Sequence, residues 1–314
     1  MNQKLALNTA AIRQAPFDHV IGIAQRAGYD GIGLWATDVS AYLERGGSYG
    51  ALRERLAANG LSVPELCFAG GWMYVAEDER KLALAKARAL SRMARQLDAG
   101  CLVAVPSFQH GDLDDAVRDF RELCDVAAEE SVRVALEFNG VAKQVRSLAV
   151  GLDVVDQANR PNGGLLVDSF HFFVGGSSLP DIDRIPLNRL FLVHLSDAAH
   201  LPLEQFTTSH RHRFFPGHGI ANVRQTVERL QRLGYQGFFS LEFFNDEYLP
   251  RNPYRVAMEG LAAMRGILRP RTEPTTPRQE YQAASPSSGA DQEQLVQLIT
   301  RKVMERLAGF PAER

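Results

Sequence analysis

VALEFNG, residues 134–140, decides how this chain is read. Val134, Leu136 and Phe138 form one apolar face of a strand, and Ala135 lies on the other. Glu137 interrupts that pattern. Burying a carboxylate in an apolar strand is costly unless something pairs with it. The fold must therefore supply Glu137 with a partner.

Working outward, the stretch extends to VRVALEFN (132–139), and seven similar runs accompany it. They are KLALN (4–8), GIGLW (31–35), LSVPEL (61–66), CLVAVPS (101–107), GLLVDSF (164–170), LFLVHLSD (190–197) and FFSLEFFN (238–245). Amphipathic segments at helical spacing lie between them, at 16–27, 78–98, 114–130, 147–159 and 222–233. Two of these close on a glycine just past the last apolar residue, in AQRAGYDG and LQRLGYQG. Eight strand–helix alternations predict an α/β fold, a single (β/α)8 TIM barrel over residues 1–268. A doubly wound open sheet is the rival, but it uses fewer strands, and no glycine-rich phosphate loop opens the first helix.

Composition narrows the function classes. The 314 residues are 45% hydrophobic and 23% charged, ordinary for a globular protein. A net charge of −2 gives no global attraction for nucleic acid or anionic membrane. No apolar run approaches the ~20 residues of a membrane span, and MNQKLALNTA lacks the apolar core of a signal peptide. Cys67, Cys101 and Cys124 have no metal-type spacing and read as free buried thiols in a reducing cytoplasm.

Past residue 268 the texture changes. Residues 269–290 are rich in Pro, Ser, Thr and Gln and predict a disordered linker. Residues 291–309 predict an amphipathic helix, with Leu295, Leu298, Ile299, Val303 and Leu307 on one stripe and Asp291 with Gln294 as a capping box. A helix this short is marginal alone in water and needs a partner surface. The options are its own barrel, self-association into a homo-oligomer, or a separate partner.

Four late strands each carry a polar residue that a core strand would not want: Glu137, Asp168, His194 and Glu242. Each falls near the C-terminal end of its strand, the rim where barrels build active sites. Ala135, Glu137 and Asn139 share a face, as do Ser240 and Glu242, so the polar set points inward. Three carboxylates cannot all ionise in a dry pocket without a cation. Three oxygens and one nitrogen suit Mn, Mg or Co, with Zn or Fe also compatible. Taken singly, each of the four also reads as a salt-bridged strand end. His171, three residues past Asp168, either faces a substrate or is structural. Arg213, in RHRFFPGHG between the last two strands, either grips a substrate oxygen or is solvated. His200, His210, His212 and His218 read as loop surface. Trp35, Trp72, Tyr74 and Phe108 are candidate pocket walls.

VALEFNG, LLVDSFHFF, FLVHLSDA, HRFFPGHG and SLEFFNDEY resemble the xylose-isomerase-like barrels of the sugar phosphate isomerase/epimerase family, nearest to its 2-keto-myo-inositol (inosose) isomerases. Bacterial 3-dehydroshikimate dehydratases share much of the pattern, though they can carry Gln where His194 stands. The resemblance implies a metal on Glu137, Asp168, His194 and Glu242, an acid–base pair of Glu137 and Glu242, and substrate contacts from His171 and Arg213. The terminal helix resembles the encapsulation peptides of bacterial microcompartments.

Residues and resemblance agree on proton abstraction next to a carbonyl, through a metal-stabilised enediolate. The expectation is an isomerase or epimerase of an unphosphorylated keto-sugar or keto-cyclitol, with a dehydratase-type lyase second. An inactive barrel used as a binding module is the alternative from another class. A nuclease of the endonuclease IV type would need more ligand histidines and a basic face.

Overall fold

The computed structural model describes residues 3–206 and 212–269. Among them, eight parallel strands close into a barrel. In chain order these are β1 (Lys4–Asn8), β2 (Gly31–Trp35), β3 (Leu66–Ala69), β4 (Leu102–Ala104), β5 (Val134–Glu137), β6 (Gly163–Asp168) and β7 (Leu190–Leu195). Next comes a two-stranded antiparallel ribbon of β8 (Asp197–Ala198) and β9 (Arg213–Phe214), and then β10 (Phe238–Leu241) completes the ring against β1 and β7.

Helices cover the outside where the 3.6-residue pattern predicts them: Phe17–Ala27, Glu77–Gln96, Leu113–Ala128, Leu148–Ala158 and Val223–Leu233. In Val223–Leu233 the buried stripe is Val223, Thr226, Val227 and Leu230. Gly28 and Gly234 end their helices at φ 92° and 95°, the left-handed conformation that only glycine adopts without strain.

The alternation in β5 resolves as expected. Val134, Leu136 and Phe138 join the large apolar layer between sheet and helices. Ala135 points inward, with Cys67, Cys101, Val103, Leu166 and Leu192, into a small plug inside the barrel. The three cysteines are free and buried, and burial pushes the Cys101 thiol up to about 12.

Past β2 the barrel strands are shorter than the sequence runs, and at three of them the reason is local. The third strand does not run over 61–66; it starts at Leu66, preceded only by a bridge between Gly31 and Ser62. Pro64 has no N–H to give the ladder, so regular pairing begins after it, at Leu34–Leu66 and Trp35–Cys67. The sixth strand stops at Asp168, because that side chain accepts from the His171 N–H at 2.9 Å and starts a short helix, Ser169–Val174. The eighth stops at Leu241, so Glu242 lies one residue past its strand. The predicted linker from 270 onward and the predicted helix at 291–309 lie outside the described residues. No described helix is long and apolar enough to cross a membrane.

Candidate metal centre

The four polar strand-end residues converge. In the ring order β5, β6, β7, β10, Asp168 and His194 are direct register partners, and Glu137 and Glu242 come from the strands on either side. All four are buried. His194 Nδ1 lies 3.4 Å from Glu137 Oε1, 3.2 Å from Glu242 Oε2 and 3.9 Å from Asp168 Oδ2. One donor atom from each of the four falls within 4.8 Å of the others.

The electrostatics are unfavourable without a cation. Burial pushes the Glu137 carboxyl up to about 7, with the Glu242 and Asp168 charges adding to it against the His194 hydrogen bond. Burial likewise raises Asp168, opposed by the guanidinium of Arg213. Burial alone would depress His194, but the carboxylates of Glu65 and Glu242 outweigh it and hold the imidazole well above its ordinary range. Glu137 Oε1 and His194 Nδ1 are fully buried and face each other at 3.4 Å, with Glu242 Oε2 3.2 Å from the same nitrogen, and neither atom makes a well-aligned hydrogen bond. Orphaned buried polar atoms are rare in folded proteins. Of the seven such atoms among the described residues, these two share one cluster, and a divalent ion among three oxygens and one nitrogen would give both a partner. The residues present therefore fit a divalent metal.

Both expected substrate-facing residues reach the same place. Arg213 is buried, with Nη1 3.3 Å from Asp168 Oδ2 and 3.6 Å from Glu242 Oε2. Its Nη2 lies 3.0 Å from His171 Nε2, and its guanidinium lies 4.2 Å from the Phe170 ring centre. The long connection that carries Arg213 is clasped by Asp197, whose oxygens accept from the N–H groups of Ala198, Gly217 and Ala221, each at 2.9 Å. Asn245 donates to the Arg213 carbonyl at 3.0 Å. His171 rides on the helix capped by Asp168 and meets Asn139 at 3.2 Å.

The other candidates divide. Trp35 packs edge-on against Phe68 and Phe244, with ring centres 5.4 and 5.7 Å apart, at the rim of the barrel mouth. Trp72 is buried in the outer layer against Phe120, and the Tyr74 hydroxyl donates to the Asp112 carbonyl, so these two are packing residues. Phe108 is half-buried. His200 and His218 are exposed and His212 half-buried, while His210 lies outside the described residues.

Sequence reasoning missed one carboxylate. Glu65 is fully buried inside the barrel and touches His194 Nε2 through Oε2. Its other oxygen accepts from Ser240 at 2.7 Å and Asn8 at 3.1 Å. The signal was available: in PELCF, Glu65 and Cys67 alternate with Leu66 and Phe68, as Ala135 and Glu137 do with Leu136 and Phe138. Placing the strand at 61–66 put Glu65 near a frayed end and hid the pattern.

Known proteins share this architecture. An inosose isomerase of Halalkalibacterium halodurans is 30% identical over 168 residues, covering 51% of this chain and 59% of that protein. A 3-dehydroshikimate dehydratase of Pseudomonas putida is 26% identical over 245 residues, covering 76% of this chain and 38% of that one. The matched region thus spans only about four to six tenths of these relatives. The crystal structure of the IolI protein with a bound zinc atom superimposes with a TM-score of 0.79 over 84% of this chain and 98% of its own, at 22% identity. Residues 21–267 match the family model itself, and the chain belongs to the xylose isomerase-like TIM barrel family.

Proposed function

We propose that the barrel is a divalent-metal-dependent isomerase or epimerase of a keto-sugar or keto-cyclitol. The observation that supports it most is the buried set of Glu137, Asp168, His194 and Glu242, whose donor atoms lie within 4.8 Å of one another. These four would hold the ion, which when bound draws electron density from the substrate carbonyl and acidifies the neighbouring C–H bond.

The chain's own groups account for the proton movements. One of Glu137 and Glu242 takes the proton from the hydroxyl-bearing carbon, and the C–H electron pair moves into an enediolate of the substrate. The other glutamate returns a proton. Delivered to the former carbonyl carbon, while the hydroxyl proton passes to the former carbonyl oxygen, it moves the carbonyl along the chain; delivered to the opposite face of the first carbon, it gives the epimer. Glu137 and Glu242 suit these roles because they stand on either side of the adjacent Asp168–His194 pair. Arg213 and His171, in contact with each other at the same rim, orient substrate oxygens.

A dehydratase acting on 3-dehydroshikimate is the second reading, supported by the dehydratase alignment that covers 76% of this chain. There the same abstraction is followed by loss of a β-hydroxyl. Incubating Mn-loaded full-length protein in D2O with inososes, ketohexoses and 3-dehydroshikimate separates the readings. Deuterium incorporation beside the carbonyl of a recovered keto-polyol supports the first; an ultraviolet-absorbing aromatic product supports the second. Absence of both, with metal bound, leaves an inactive binding module.

A further inference from the structure

We propose that Glu65 is a positioning residue for the metal centre, fixing the His194 imidazole with its proton on Nε2 and its Nδ1 lone pair aimed at the ion. The inference rests on the metal reading above and extends it to a residue beneath the four ligands.

The hydrogen bonds can be followed in sequence. Asn8 Oδ1 accepts from the Ala10 N–H at 3.0 Å and from Trp35 Nε1 at 2.8 Å. Those two donors fix which way the amide faces, so its Nδ2 side must donate, and it reaches Glu65 Oε1. Ser240 donates to the same oxygen at 2.7 Å. Oε1 is thereby filled by two donors. Oε2 lies against His194 Nε2, within hydrogen-bond reach. A carboxylate engaged this way accepts, so Nε2 carries the proton and Nδ1 is left as the donor atom facing Glu137, Asp168 and Glu242.

The surroundings are built for this carboxylate. Glu65 is fully buried, and contacts from β1, β7 and β10 converge on it. A Cβ on Gly33 would stand 2.0 Å from Glu65 Oε1, so β2 leaves room for the carboxylate through the absence of a side chain. Glu65, Cys67 and His194 also place donor atoms within 4.8 Å of one another. However, the direct Glu65–His194 contact leaves no space for an ion between them.

Carboxylate partners of metal-bound histidines typically contribute roughly 10–100-fold in metal affinity. The test uses the full chain, 15N-labelled at histidine and loaded with zinc as a diamagnetic probe. The His194 resonances are assigned by their loss in His194→Gln. The wild type should show a metal-shifted Nδ1 and a protonated, strongly downfield Nε2–H. Glu65→Gln should move that proton resonance upfield and weaken zinc binding by roughly 10–100-fold in chelator competition, with Glu65→Asp intermediate. Zinc bound through Nε2 in the wild type, two ions per chain, or a Glu65→Gln protein with unchanged proton shift and affinity would overturn the proposal. If Glu65→Gln does not fold, the wild-type spectrum alone decides. A wild type that binds no ion would instead bring down the metal reading itself.

Discussion

Asp168 and His194 are register partners across the β6–β7 ladder, and Arg213 Nη1 sits 3.3 Å from the same Asp168 oxygen that lies 3.9 Å from His194 Nδ1. A permanent guanidinium thus borders the cluster, and even with a protonated imidazole at His194 two positive charges do not balance the carboxyl groups of Glu65, Glu137, Asp168 and Glu242.

Glu137→Gln and Glu242→Gln should each lower turnover by roughly 10²–10⁴-fold, the usual range for losing a general acid or base. Both changes keep side-chain shape, so the circular dichroism spectrum should stay native. Wild-type rates in either variant would remove the acid–base assignment.

Dialysis against EDTA should silence the enzyme, and Mn or Co should restore it. Metal analysis of the purified chain should return one ion per barrel. Full activity in protein shown to be free of metal would end the metal-dependent reading.

Stability of the metal-free protein should fall as pH rises. Folded Glu137 holds its proton up to about 7, against 4.5 for an unperturbed Glu, and Asp168 and His194 are raised as well. A group whose pKa is raised by folding stabilises fully below its unfolded value and loses that contribution as pH climbs through the folded one. For Glu137 alone this is on the order of 3 kcal/mol across pH 4.5–7. The melting temperature of metal-free protein should therefore drop between pH 5.5 and 8.5, and less steeply in Glu137→Gln. Added Mn should stabilise more at pH 8 than at pH 6, since binding displaces protons. A melting temperature that rises over this window would contradict the electrostatics of the cluster.

Gly33→Ala should destabilise the barrel by about 1–3 kcal/mol, because its Cβ would fall 2.0 Å from Glu65 Oε1 inside a packed interior. Urea midpoints measure this. Gly22→Ala, whose Cβ meets nothing within 4 Å, serves as the control and should be neutral or stabilising.

Deleting residues 270–314 should leave catalysis unchanged. If the terminal segment is a targeting helix for a microcompartment shell, the truncation should also abolish co-purification with shell protein. A truncated chain that still packs with shell protein would exclude that role.

The barrel was legible because β5, β6 and β7 are apolar on both faces apart from one polar residue each, and because AQRAGYDG and LQRLGYQG mark helix ends by glycine. The four ligand candidates stood out for the same reason: a lone charge in an apolar run has few explanations. What stayed hidden depended on contacts distant in sequence. Glu65 meets His194 from 129 residues away. Trp72 and Tyr74 follow β3, as a wall residue would, yet they fold outward against the helices. Local periodicity assigns a residue to a face of its own strand; it does not say which neighbour fills the space opposite.

Asp168 divides its two oxygens between different tasks. Oδ1 anchors the first turn of the helix bearing His171, and Oδ2 faces the ligand cluster. On the proposed metal reading, the turn bearing His171 and the ion would thus be tied to one side chain. Redesigning selectivity from that turn would loosen the ion as well. Across the mouth, Trp35, Phe68 and Phe244 lean on one another, but Trp35 donates to Asn8 and the Arg213 guanidinium lies 5.4 Å from the Phe244 ring centre, so changes there also reach the ligand set.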